Sequence, residues 1–276
     1  MRPLAPVLLA ALLGPAWSAE LAYKKEGRGP GVLFIHGFGG NRKVWDEQVS
    51  RMKKDHTVVT VDLPGHGDTA APALKEGSLD LDGIASELAG LARKLKVTPV
   101  MVVGHSTGGT FAVRMALADP GAVRGVVLVD AILAPAEAVR EEAFMKGLDT
   151  DEARTLGDFF GGLASDEAQK TRALKDALKV PVPVLKAYRA SRVGDNVGER
   201  AAGLTVPVAF FTSSALIPDP AKEKEALQRL GMARIPKLTV SYFVNARHWI
   251  MWDEPDTFDV LFNGFEAAVV TGAPGR

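Results

Sequence analysis

Short runs of β-branched and other apolar residues, separated by helix-length stretches, constrain this chain more than any other feature of its sequence. The runs fall at 31–35, 56–61, 99–103, 123–129, 206–211 and 238–244. Strands so continuous in Val, Ile, Leu and Phe are buried on both faces, which calls for a mainly parallel sheet covered by helices. The stretches at 44–54, 81–95, 107–118, 222–230 and 255–269 carry apolar residues at helical spacing and supply that cover. Strand and helix therefore alternate, as in α/β folds built from right-handed crossovers. Residues 22–25 read as an additional edge strand. With 276 residues and 47% hydrophobic side chains, the chain has the length and material for one domain with an insertion.

One interval breaks the alternation. Residues 132–204 hold no strand-like run but several helical patterns, at 135–146, 150–160 and 165–178. Pro135 suits a first helical position, where no N–H is needed. So long a helical stretch exceeds a connection between two strands. The expected organisation is a sheet core from 20–131 and 205–276 with an all-helical lid at 132–204. Ligands of open α/β sheets bind beyond the carboxyl ends of the strands, where such a lid shapes the pocket. Phe144, Phe159, Phe160 and Tyr188 are candidate pocket walls, although aromatic residues on helices more often serve as core.

Charge and cysteine exclude several classes. Lys plus Arg and Asp plus Glu number 33 each, a balance that offers nucleic acid no electrostatic footprint. Cysteine is absent, which removes disulfides, thiolate metal sites and a cysteine nucleophile. At the N-terminus, Arg2, an apolar stretch over 4–16 and the small residues of Ala16-Trp17-Ser18 form a secretory signal pattern over residues 1–19. The apolar stretch is shorter than the roughly 20 residues of a spanning helix. The expected location is exported, periplasmic or secreted, with no stable membrane anchor after cleavage.

Candidate chemistry concentrates where the third run ends. Gly104-His105-Ser106-Thr107-Gly108-Gly109 follows the apolar run at 99–103 and opens a helix, the setting of a nucleophile elbow. Its glycines permit a tight turn that strains Ser106 and lifts the hydroxyl to the top of the sheet. The N–H of Thr107, at the helix start, points where an oxyanion forms. After the run at 31–35, the turn His36-Gly37-Phe38-Gly39-Gly40 offers the Phe38 N–H as a second donor. Of the five histidines, His36 reads as structural, His56 introduces a strand, His66 lies in a turn and His105 sits inside the elbow. His248 follows the last strand, in a loop that lowers an imidazole over the elbow, where it takes the serine proton and passes it to the leaving group.

His36-Gly37-Phe38-Gly39, Asp62-Leu63-Pro64-Gly65-His66-Gly67, the elbow, and His248 followed by Glu254-Pro255 come in this order. Together they resemble the signatures of the α/β-hydrolase fold family over most of the chain from Tyr23 to Val269, the lid aside. The resemblance implies a Ser–acid–His triad in that chain order. The family usually takes the acid from a Gly-x-x-Asp turn after the strand that is here at 206–211. This chain instead reads Thr212-Ser213-Ser214-Ala215-Leu216-Ile217-Pro218-Asp219, with Leu216 near the usual acid position and Asp219 a helical turn later. Some members take the acid from the end of the preceding strand, here Asp130. A carboxylate there reaches the histidine from the sheet side, which favours Asp130, with Asp219 as the alternative. Asp130 also reads as a strand-end cap. Asp253 and Glu254 follow His248 too closely to orient it and are expected to start the last helix. Arg247 stands where relatives often carry glycine.

The resulting expectation is an exported serine hydrolase that cleaves an ester, or a related acyl substrate, through an acyl-enzyme. Ser106 is the nucleophile, His248 the general base and then acid, Asp130 the orienting acid, and Phe38 and Thr107 the oxyanion donors. The implied partner is a small-molecule substrate. No metal or organic cofactor is expected, since nothing in the sequence has metal-ligand spacing. By the resemblance, the same residues also serve C–C bond hydrolysis, lactone opening, acyl transfer and perhydrolysis. A non-catalytic ligand receptor is a further alternative, favoured only by the departure at 213–216.

Overall fold

The computed structural model describes residues 20–74 and 77–272; the expected signal segment at 1–19 lies outside them. Seven strands form one sheet: β1 (Tyr23–Gly27), β2 (Gly31–Ile35), β3 (Thr57–Val61), β4 (Val100–His105), β5 (Val123–Val129), β6 (Val208–Ser213) and β7 (Leu238–Phe243). Their order is β1-β3-β2-β4-β5-β6-β7, and every pairing is parallel except that of β1 with β3. The apolar runs of β2, β4 and β6 are buried at every residue, as two-sided cover requires. Edge strand β1 carries Lys24, Lys25 and Glu26, charges that oppose pairing with a further strand.

The helices are α1 (Asp46–Met52), α2 (Leu81–Lys94), α3 (Thr107–Ala118), α4 (Ala138–Thr150), α5 (Glu152–Leu163), α6 (Glu167–Ala177), α7 (Val182–Ala190), α8 (Val197–Arg200), α9 (Glu223–Arg229), α10 (Ile250–Asp253) and α11 (Pro255–Thr271). Helix α3 packs on β4, β5 and α2, while α11 packs on β5 and α1.

The strand order reverses at β2. The chain passes from β2 outward to β3, then returns to lay β4 on the other side of β2. This is the switch point at which α/β sheets open a crevice. Register then aligns the strand ends in one row: Ile35 beside Gly104, His105 beside Val129, and Val129 beside Phe211. Residues 36–40, Ser106, Asp130 and Ser213 emerge side by side for that reason.

Between β5 and β6 the chain forms α4 to α8 and, among the described residues, contributes no strand to the sheet. Asp151 and Asp166 cap α5 and α6 by accepting from Arg154 N and Gln169 N, at 3.0 and 2.8 Å. Buried Arg114 of α3 ties this region to the core, pairing with Asp195 and with Asp82 at 2.7 Å. Pro135 is not at a helix start. Ala136 N donates to Arg192 O at 2.9 Å in a short bridge, which commits that stretch to extended backbone and delays α4 to Ala138. The predicted helix at 44–54 likewise begins as a 3-10 turn over Arg42–Trp45, capped by Asn41.

Candidate active site

Ser106 sits between β4 and α3 with φ 51° and ψ −119°, a strained conformation for a residue with a side chain. The surroundings enforce it. Ser106 N donates to Val129 O at 2.8 Å, and Ser106 O accepts from Gly109 N at 2.9 Å. A Cβ on Gly104 would lie 2.4 Å from Gly108 O, and one on Gly108 would lie 2.4 Å from Ile35 O. Glycine at both positions lets helix, β4 and β2 approach this closely.

His248 reaches the same place from the loop after β7. Its Nδ1 lies 2.7 Å from Asp130 Oδ2, while Asp130 Oδ1 accepts from Ser213 N at 2.9 Å. Asp130 is buried, also has positive φ (45°), and donates its own N–H to Phe211 O at 2.8 Å. A proton on Nδ1 donated to Asp130 leaves Nε2 as the basic nitrogen. The backbone of His248 is held on both sides: N donates to Leu163 O at 3.3 Å, and O accepts from His105 Nε2 at 3.0 Å. Asp219 is elsewhere, capping the turn Pro220–Lys222 through Ala221 N at 3.0 Å.

Glu254 stands at the N-cap of α11, as expected, and its carbonyl accepts from Phe258 N at 3.0 Å, but its side chain caps no backbone N–H there; Asp253 instead ends α10. Asp253 accepts from Arg247 N (2.8 Å), Ser165 Oγ (2.6 Å) and Gln169 Nε2, and Glu254 accepts from Asn245 N (2.9 Å). They brace the histidine loop, because its backbone turns away from β7 and its N–H groups need acceptors. Arg247, in place of glycine, donates Nη2 to Gly162 O at 2.6 Å and so pins the loop to the end of α5.

The turn after β2 is held by two buried imidazoles. His36 Nε2 accepts from Leu63 N at 2.9 Å, and its Nδ1 lies 2.7 Å from Gly37 O. His66 Nε2 accepts from Gly39 N at 3.2 Å, and its Nδ1 lies 3.1 Å from Pro64 O. Both rings act as acceptors and must be neutral. Burial holds them so, lowering His36 to about 4 and, with His36 nearby, His66 to about 3. Asp62 closes the second loop, accepting from Arg42 N at 2.6 Å and Asp68 N at 2.9 Å. Gly39 and Gly40 N–H groups are taken by His66 and by Gly37 O, the latter at 3.1 Å. Sequence reasoning placed His66 only in a turn; its motif marked the loop, but its partner lies 27 residues away.

Ser106, Thr107, Phe38 and His248 line two cavities at once. One, of about 60 Å³, runs toward Val44, Phe160, Trp249 and Trp252. The other, of about 700 Å³, runs toward the helical insert and includes Tyr188. Phe159 lines both, whereas Phe144 stands behind, its ring edge-on to Phe38 at 6.0 Å. Arg189 stacks over Phe144 and Phe38, at 4.6 and 5.4 Å, and is held by buried Glu141 at 2.5 and 2.8 Å. Among the described residues no group of three or more His, Asp or Glu is placed to hold a metal ion.

Known proteins share this arrangement of strands and turns. The chain is similar in structure to the bromoperoxidase from Bacillus anthracis, with TM-score 0.77 and 21% identity over 90% of this chain and 96% of that one. It is also similar to the esterase RhEst1 from Rhodococcus sp. ECU1013, with TM-score 0.74 and 24% identity over 92% and 99%. At these identities the likeness is one of fold. In sequence it is similar to pimeloyl-[acyl-carrier protein] methyl ester esterase of Neisseria meningitidis, 32% identical over 138 residues, 50% of this chain and 48% of that protein. The matched stretches span 31% to 64% of the length of the curated relatives. A model of the alpha/beta hydrolase family matches residues 32–259, from the first buried strand into the last helix. The chain belongs to the alpha/beta hydrolase family.

Proposed function

We propose that the protein is a serine esterase acting through an acyl-enzyme. The observation that carries this reading is the 2.7 Å contact of His248 Nδ1 with Asp130, beside a strained Ser106 on the same cavity wall. Ser106 Oγ attacks the ester carbonyl as His248 Nε2 takes its proton. The N–H groups of Phe38 and Thr107 receive the oxyanion, an interaction worth roughly 100- to 1,000-fold per donor. The intermediate collapses, and His248 returns the proton to the departing alkoxide. Water, deprotonated by His248, then attacks the acyl carbon, and Ser106 is regenerated as the acid leaves.

Relatives named as esterases support an ester as the substrate. The turn at 213–216 does not favour a receptor, because Ser213 N–H holds Asp130. Helices α4 to α8 act as the lid, since Phe159, Phe160 and Arg189 reach the cavities beside Ser106. A cavity of about 60 Å³ admits on the order of four to six water-sized groups, which matches a short acyl chain. We expect para-nitrophenyl acetate and butyrate to be cleaved and the octanoate poorly. Ser106→Ala should abolish turnover and covalent labelling by a fluorophosphonate; full activity in that variant would sink the assignment. The pattern at 1–19 supports export, and a protein retained in the cytoplasm with Met1 still in place would contradict it.

A further inference from the structure

The larger cavity carries charge that the proposed ester chemistry does not require. The chain as a whole is neutral, with 33 basic and 33 acidic side chains. The wall of the 700 Å³ cavity nevertheless holds five arginines, at 140, 189, 192, 229 and 247, against three carboxylates. Those carboxylates are engaged. Asp130 meets His248, Glu137 meets Arg140 at 2.9 Å, and Glu141 takes both arms of Arg189. Arg192 donates to Ile132 O and Ala134 O, at 2.9 and 2.8 Å, with Asp195 at 3.7 Å.

Arg229 and Arg247 differ from the other three. Arg229 Nη2 donates to Leu216 O at 2.9 Å, and Arg247 Nη2 to Gly162 O at 2.6 Å. Neither is paired with a carboxylate among the described residues. A backbone carbonyl positions a guanidinium without neutralising it. Each therefore keeps its charge and its other donors on a wall shared with Ser106 and His248. One comes from the end of α9 and the other from the histidine loop, so they flank the cavity from separate elements. Guanidinium forks match the paired oxygens of carboxylate and phosphate.

We propose that the large cavity selects esters whose alcohol part bears an anionic oxygen group, carboxylate or phosphate, held by Arg229 and Arg247. The acyl part occupies the small cavity. The proposal rests on Ser106 being the acylated residue. In this division the alcohol, which is released first, leaves by the roomier side, while the acyl group stays on Ser106 at the mouth of the small cavity.

The test compares kcat/KM for three acetates of similar size: meta-acetoxybenzamide, meta-acetoxybenzoate and meta-acetoxyphenyl phosphate. At low salt the better anionic ester should exceed the neutral one by roughly fivefold or more, and high salt should erode the gap. Which anion gains more identifies carboxylate or phosphate. Arg229→Gln and Arg247→Gln should each lower the anionic-to-neutral ratio about two- to fivefold. Arg154→Gln, paired with Asp158 on α5 away from both cavities, should leave it alone. The ratio cancels any general damage to the histidine loop. Equal kcat/KM for charged and neutral acetates, in protein that a fluorophosphonate labels at Ser106, overturns the proposal. So does a preference for para-nitrophenyl hemisuccinate over the butyrate without one among the acetates, which would put the anion on the acyl side. No labelling and no hydrolysis of any acetate would overturn the esterase reading, and this proposal with it.

Discussion

Asp130 uses its two carboxylate oxygens for different purposes. Oδ2 faces His248 Nδ1, and Oδ1 is fixed by Ser213 N. An amide of the same shape presents either a donor or a fixed orientation to His248, and it removes the charge that stabilises an imidazolium. Asp130→Asn should therefore lower kcat on para-nitrophenyl acetate by roughly 1,000- to 10,000-fold. Asp219→Asn should stay near wild type, because Asp219 only caps an exposed turn. The opposite ranking would remove Asp130 from the proposed triad. A carboxylate at a strand end was legible as a candidate from residue type and place. The supports of the site were not legible. Ser213 acts through its N–H, Leu163 through its carbonyl, and neither contribution depends on side-chain identity.

Two loops work as a unit at the scale of elements. The turn at 36–40 and the loop at 62–68 exchange hydrogen bonds through His36 and His66, whose rings lie 5.1 Å apart. The pairing fixes Gly39 and, with it, the adjacent Phe38 peptide. His66→Leu removes the acceptor for Gly39 N and frees that turn. We expect kcat to fall roughly 10- to 100-fold, less than outright loss of an oxyanion donor, with KM changing far less. A KM effect with kcat intact would show that the loop binds substrate rather than orienting the oxyanion site. The two motifs were visible separately in the sequence. Their union depends on β2 and β3 being parallel neighbours, which brings 36 beside 63.

Buried histidines also set how the whole molecule responds to pH. His36 and His66 are held to about 4 and about 3, and His105 well below its ordinary value, in each case chiefly by burial. In the unfolded chain they titrate near 6.5. Groups depressed by folding contribute stability above that value and lose it as pH falls, so the urea midpoint should decline from about pH 6.5 toward about pH 4. His56 has the opposite sign. Glu266, 2.7 Å from its Nε2, raises it, so its contribution is full below about 6.5 and is lost as pH rises through the raised value. His56→Gln should thus destabilise clearly at about pH 6 and little at about pH 9. An equal loss at both would mean that His56 serves by packing on Phe262 instead.

The alternation of apolar runs and helical periods, the elbow and the His-Gly turn were decided by local rules. Burial on both faces demands continuous apolar strands, and a tight turn demands glycine beside Ser106, whatever the rest of the chain does. Strand order was a matter for the tertiary structure. Only the placement of β5 between β4 and β6 sets Asp130 beside Ser106 and under His248, 118 residues apart in sequence. The same holds for helix boundaries such as that after Pro135, where a distant backbone bridge overrode local preference. It also holds for Arg229 and Arg247, which meet no carboxylate among the described residues, since which guanidinium finds a carboxylate depends on what the fold brings near.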